Sequence, residues 1–269
     1  MSLPKISIVT PSFNQGKFLE QTINSVLGQG YPNLEYIVID GGSTDNSVEI
    51  IRKYEKSLSY WVSEPDRGQT QAINKGLKKA TGDILAYLNS DDLYLPGALN
   101  KVAEFLSTHP DIGLVYGDCE IVDQEGRLIT RRRELSFDYP MGCMIGFGII
   151  IPQPSAFFTR RTFEKVGYFN EEFHNSMDSE YWFRIARMSK VTHVPQFFSQ
   201  FRIHPASKTG MHLVHAATKY NDEARAVVRQ AYQSLKISKI IPFERSAWFR
   251  KLYRLKRFVV RAILGYHFK

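Results

Sequence analysis

Cysteine is almost missing from this chain. Cys119 and Cys143 are the only two among 269 residues, and they lack metal-ligand spacing, which favours packing over a disulfide or a zinc site. Long apolar runs are missing too. No stretch of about 18 apolar residues is available to span a bilayer, and the N-terminus has no charged segment followed by an apolar signal core, so a cytoplasmic protein is expected. Acid is absent from the C-terminal end: from Arg245 onward there are eight Lys or Arg and no Asp or Glu. Removing those eight from the 35 basic residues leaves 27, equal to the 27 acids, so the net charge of +8 belongs wholly to the tail.

What is present suits a packed globular protein. Hydrophobic residues make up 43% of the chain and aromatics 13%, enough for one large core or two small ones. Residues 5–10 and 34–40 read as buried strands, and residues 59–63 and 83–88 add two more. Between them, Phe18, Ile23, Val26 and Leu27, then Val48, Ile50, Ile51 and Tyr54, then residues 69–80 recur at helical spacing. Ser43, Thr44 or Asp45 can cap the second helix. This alternation predicts an α/β fold, a Rossmann-like and mostly parallel sheet with helices on both faces.

In such a sheet the strand ends converge on one edge, where ligands bind. Asp40, Asp66, Asp91 and Asp92 all fall there, with Arg67 beside them. Adjacent carboxylates are costly unless something positive neutralises them. A magnesium or manganese ion holding a phosphate does so, since it takes one or two protein carboxylates and its remaining oxygens from substrate and water. Asp40 precedes Gly41-Gly42, where a flat ligand can approach the backbone, and Arg67 suits a phosphate. Each feature alone is an ordinary turn or surface ion pair. Their convergence points to a nucleotide-phosphate and metal site.

Four motifs carry a resemblance: Val9-Thr10-Pro11-Ser12-Phe13-Asn14, Ile39-Asp40-Gly41-Gly42-Ser43-Thr44-Asp45, Asn74-Lys75-Gly76 with Ala80-Thr81-Gly82-Asp83, and Leu88-Asn89-Ser90-Asp91-Asp92. Together they resemble the successive signatures of the family 2 glycosyltransferases, over about residues 4–210. The resemblance implies the GT-A fold, a nucleotide-sugar donor such as a UDP-sugar, a divalent metal (Mn2+ or Mg2+) and inversion at the transferred sugar. By the same resemblance Thr10 and Asp40 hold the nucleoside, with Pro11, Phe13, Asn14 and Asn74 in the donor-binding motifs. Asp66 and Arg67 flank the diphosphate, Asp91 meets the ribose or sugar, and Asp92 binds the metal. The family's Asp-X-Asp is replaced here by Asn-Ser-Asp-Asp, which leaves open which carboxylate touches metal.

Asp178 opens a helix with Trp182 and Arg184, and that alignment implies the catalytic base, although Met177 stands where the family has an acid. Glu180 reads as a helix-start carboxylate. His204, within Phe201-Arg202-Ile203-His204, is a second candidate metal ligand. Arg131-Arg132-Arg133 reads as a solvated strand end or loop. Residues 139–151 hold too many glycines and prolines for a good helix and suggest a mobile loop or buried packing.

The expected organisation is a GT-A domain over 1–210, with a nucleotide-sugar half at 1–95 and an acceptor half at 96–210, then a helical extension over 211–269. The expected reaction joins a sugar to a hydroxyl of a glycan or lipid-linked acceptor in cell-surface polysaccharide synthesis. A nucleotidyltransferase or nucleotide-sugar hydrolase could share the metal-diphosphate site, and a non-catalytic nucleotide-sugar binder could share the pocket. The basic tail interleaves Trp248, Phe249, Leu252, Tyr253, Leu255 and Phe258 with its cations. It predicts peripheral contact with an anionic membrane, at the inner face of the cytoplasmic membrane, in preference to nucleic acid or to core packing.

Overall fold

The structure, a computed structural model, describes residues 3–146, 150–208 and 218–263. Its first half alternates as expected: β1 (Ile6–Ser12), α1 (Gly16–Leu27), β2 (Leu34–Asp40), α2 (Ser47–Tyr54), β3 (Tyr60–Ser63), α3 (Gln69–Lys79) and β4 (Ile84–Tyr87). These four strands are parallel, in the order β3-β2-β1-β4. Every residue of β1 is buried, because helices cover both faces. Ile6 and Ile8 join Tyr36 and Val38 in one hydrophobic cluster, whereas Val9 joins Ile37 and Ile39 in the other. Strand periodicity thus feeds two cores. Helix α3 lies so close to β1 that a Cβ on Gly76 would meet Val9 Cγ1 at 2.3 Å.

The second half contains β5 (Leu93–Tyr94), α4 (Ala98–Thr108), β6 (Ile112–Val122), β7 (Leu128–Arg132), α5 (Tyr139–Ile145) and β8 (Ala156–Thr159). It continues with α6 (Arg160–Val166), α7 (Met177–Met188), β9 (Lys190–Arg202), α8 (Thr218–Gln233) and α9 (Ala247–Ile263). Here the sheet turns mixed. Strand β8 runs antiparallel to both β4 and β6, and β9 runs parallel to β6 and antiparallel to β5. The result is one sheet ordered β3-β2-β1-β4-β8-β6-β9-β5, with β7 paired to β6.

One stretch departs from expectation. Residues 139–145 are helical, not a loop: Asp138 Oδ1 accepts from Met141 N at 2.9 Å as the N-cap, and Pro140 sits in the first turn, where its missing N–H costs nothing. Burial of Met141, Cys143, Met144 and Ile145 then holds the helix in place. Residues 147–149 of the same stretch lie outside the described residues. Strand β9 carries a proline, Pro195, inside its run. The register between β6 and β9 shifts there, with Tyr116 opposite His193 but Asp118 opposite Phe197, so the proline falls in a bulge.

The two cysteines are buried and free, in keeping with a packing role. Of the helical extension expected over 211–269, residues 211–217 and 264–269 lie outside the described residues, and α8 and α9 fall in the remainder.

Candidate active site

A cavity of about 1320 Å³ opens where β1, β2 and β4 end, lined there by Ser12, Gly41 and Tyr87. It is larger than most single-ligand pockets, which run to about 1,000 Å³. Its lining extends to Asp178 on α7 and to Arg250 and Arg254 on α9.

The predicted donor-site residues divide into those that line this cavity and those that shape it. Pro11, Phe13, Asp66, Arg67 and Asp91 line it. Phe13 is 59% exposed and offers a flat apolar face. Arg67 is held by Glu171 at 2.5 Å. Thr10, Asn14, Asp40 and Asn74 do not line it, because each is committed to structure. Thr10 Oγ1 is buried against the Tyr36 hydroxyl at 3.1 Å. Asn74 exchanges two hydrogen bonds with the backbone of Phe169, at 2.9 and 3.0 Å. Asn14, at φ 52°, accepts from Thr44 N at 2.9 Å.

Asp40 is fully buried and accepts from Gly42 N, Ser43 N, Ser43 Oγ and Ser63 Oγ at 2.5 to 3.1 Å. It locks the loop after β2 in place. Gly41 then sits with its backbone against Asp66, where a Cβ would stand 2.8 Å from Asp66 Oδ2. Ser12 Oγ, which sequence reasoning passed over, is buried in the cavity wall without a hydrogen-bond partner among the described residues. A buried hydroxyl without a partner is unfavourable until a ligand supplies one.

The two consecutive aspartates part company. Asp92 is fully buried, and its Oδ1 accepts from Arg202 N at 2.9 Å. Burial, then the neighbouring Asp91, pushes its carboxyl well above the usual range. Asp92, the expected metal ligand, thus has its carboxylate turned into the protein and lies outside the lining of the cavity. Asp91 reaches the cavity instead, with Oδ2 3.0 Å from His204 Nε2. Arg202 braces the pair from behind, donating from Nε to Asp91 O at 2.9 Å. The pair is hydrogen-bonded as it stands, and a cation with bonds of about 2.1 Å, whose adjacent ligands lie about 3 Å apart, would have to take the place of that hydrogen bond. Among the described residues no group of three His, Cys, Asp or Glu is placed to hold a metal ion.

Asp178 lines the same cavity. Burial pushes its carboxyl above the usual carboxylate range, against the opposing pull of Ser179 N–H and Lys208. Lys208 itself reaches across to Gln69 Oε1 at 2.7 Å and His174 O at 2.6 Å, and burial depresses its ammonium group. From Gln69 the bonds run on through Asn89 to Gln153, which donates to Tyr87 O at 2.8 Å. No spacing rule could have found this amide chain, whose members lie on separate elements. Glu180 is the helix carboxylate it was read as, paired with Arg184 at 2.7 and 2.9 Å.

Comparison with known proteins agrees with this geometry. Residues 7–167 match the model of glycosyl transferase family 2. An uncharacterised glycosyltransferase of Mycobacterium tuberculosis is 32% identical over 187 residues, which is 69% of this chain and 70% of that protein. One from Rickettsia typhi is 28% identical over 218 residues, 77% of this chain and 66% of that one. One from Rickettsia conorii is 25% identical over 258 residues, 90% of this chain but only 40% of that one. The chain thus spans less than two thirds of some longer relatives.

Among solved structures, S. aureus TarS 1–349 in complex with UDP-GlcNAc superposes with a TM-score of 0.67 at 18% identity, covering 86% of this chain and 67% of that one. The mannosyltransferase PcManGT from Pyrobaculum calidifontis, in complex with GDP-Man and Mn2+, gives 0.65 at 18% identity, covering 98% and 76%. At that identity the likeness concerns the fold, which is GT-A.

Proposed function

The chain belongs to glycosyl transferase family 2, and on that premise we propose that it transfers a sugar from a nucleotide-diphosphate donor, a UDP-sugar, to an acceptor hydroxyl with inversion. The observation that carries this reading is that Asp178 and the Asp91–His204 pair line, or lie directly behind, one cavity at the parallel-strand edge.

Phe13 and the unpartnered Ser12 hydroxyl face the donor end, where a nucleoside supplies a flat ring and hydroxyls. Asp91 and His204 would hold a manganese or magnesium ion, which supplies charge neutralisation to the leaving diphosphate. Arg67 and Lys208 add fixed positive charge to the same end. Asp178 accepts the acceptor's hydroxyl proton as that oxygen attacks the anomeric carbon, and the nucleoside diphosphate leaves from the other face. A carboxylate with a raised pKa is a better base than an exposed one. The acceptor is a hydroxyl of a glycan or a lipid-linked sugar in cell-surface polysaccharide synthesis.

A panel of nucleotide sugars, scored by thermal stabilisation with and without manganese, tests the donor assignment. The true donor raises the melting temperature further with metal than without. Product analysis by proton NMR then checks inversion, and a retained anomeric configuration would overturn the single displacement.

A further inference from the structure

We propose that the outward face of α9 is a docking surface for an anionic lipid bilayer. Helix α9 is inverted relative to a helix that closes a core. Its inward side carries Phe249 and Tyr253, half-buried on the hydrophobic cluster, followed by Arg257 and Arg261 at the same four-residue spacing. Arg257 Nη2 donates to the buried Glu134 Oε2 at 2.8 Å, and Arg261 Nη1 lies 3.8 Å from the same oxygen. Lys256 ties the helix edge to Asp138 at 2.9 Å. These ion pairs fix how the helix is rotated, because turning it would take Arg257 off the buried Glu134 carboxylate, whose other oxygen Arg132 holds.

That rotation leaves the large apolar residues outside. Trp248 is 62% exposed, Leu252 40%, Leu255 56%, Phe258 69% and Val259 42%. At 100° per residue Trp248, Leu252, Leu255 and Val259 form one stripe, with Phe258 at its edge. The flanks of the stripe are cationic, with Lys251, Arg254 and Lys256 exposed, and the basic excess of the whole chain sits in this segment.

An apolar stripe with aromatic residues and a cationic rim matches a lipid surface, where the stripe enters the acyl boundary and the cations meet anionic headgroups. Among the described residues no helix is long and apolar enough to cross a membrane, so α9 lies in the interface plane. Lys251 and Arg254 also belong to the lining of the cavity. Docking therefore sets the cavity against the headgroups.

The test is co-sedimentation of the full chain with phosphatidylcholine vesicles, with and without phosphatidylglycerol. A second arm uses the triple variant Trp248→Ser, Leu255→Ser and Phe258→Ser, whose sites are exposed and whose melting temperature and nucleotide-sugar binding serve as fold checks. The wild type should partition to the phosphatidylglycerol vesicles at low salt and release at high salt, and the triple variant should bind them at least about tenfold more weakly. Equal binding by the variant overturns the proposal. So does failure of the wild type to bind at low salt. Self-association of the wild type that the variant abolishes, without vesicle binding by either, would assign the face to a second copy.

Discussion

Asp91 Oδ2 and His204 Nε2 lie 3.0 Å apart although 113 positions separate them in the chain, and Asp91 lines the cavity with the buried His204 behind it. Strand β9 makes this contact. It runs beside β6, pairs with β5 and delivers His204 just after its last residue, while Arg202 of the same strand takes the Asp92 carboxylate. If the pair holds a cation, Asp91→Asn and His204→Ala should each weaken manganese-dependent donor binding by at least about tenfold, the loss expected when one of few metal ligands goes. Calorimetric titration of the donor with and without manganese checks this.

Asp92 should behave in the opposite way. Asp92→Ala leaves Arg202 N–H buried without its acceptor, at a cost of about 1–3 kcal/mol in stability. Chemical denaturation should register that loss, while metal-dependent donor affinity of the folded variant persists. Abolished metal dependence in a fully folded variant would return the metal to Asp92.

Asp178→Asn should keep donor affinity and lower turnover by about 10²-fold or more, since proton removal matters only on the way to the transition state. The pH profile carries the sign. Asp178 must be ionised to act, and burial raises its carboxyl, so kcat/KM should fall as pH drops through a value above the ordinary aspartate figure of about 3.9. An acid limb at or below that figure would argue against Asp178.

Stability in acid should depend on Glu35. Burial alone would raise its carboxyl, but Ser7 Oγ at 2.5 Å and Thr81 N and Oγ1 at 2.6 and 2.7 Å donate to it and hold it at about 2. A folded-state value below the unfolded one of about 4.3 gives stabilisation that is complete above the unfolded value and fades as pH falls toward 2. Denaturation midpoints at neutral pH and near pH 3 should therefore differ more in the wild type than in Glu35→Gln. The difference amounts to about 1–2 kcal/mol once solvent screening is allowed for.

Gly76 reports on the close approach of α3 to β1. With a Cβ meeting Val9 Cγ1 at 2.3 Å, Gly76→Ala should destabilise by about 1–3 kcal/mol through overpacking. Adding Val9→Ala to that variant removes the clashing atoms. The double variant should then lose less stability than the sum of its parts.

The sequence by itself determined the parallel half of the sheet. Strands of buried β-branched residues and helices of regular spacing are local patterns, and the glycines and aspartates that end them mark the ligand edge. Residues 34–40 fall on β2 without adjustment. The positions of Asp91 and Asp178 on the cavity were legible for the same reason, since strand ends and helix starts are local. Only tertiary structure decided which of two adjacent aspartates faces the cavity, because that depends on Arg202 N–H arriving from β9. It also committed Asp40, Thr10, Asn14 and Asn74 to the walls, through partners 2 to 95 positions away. Composition alone predicted a basic, aromatic tail, but its rotation was set elsewhere. A buried Glu134, far away in sequence, draws the arginines inward and leaves the apolar stripe facing out.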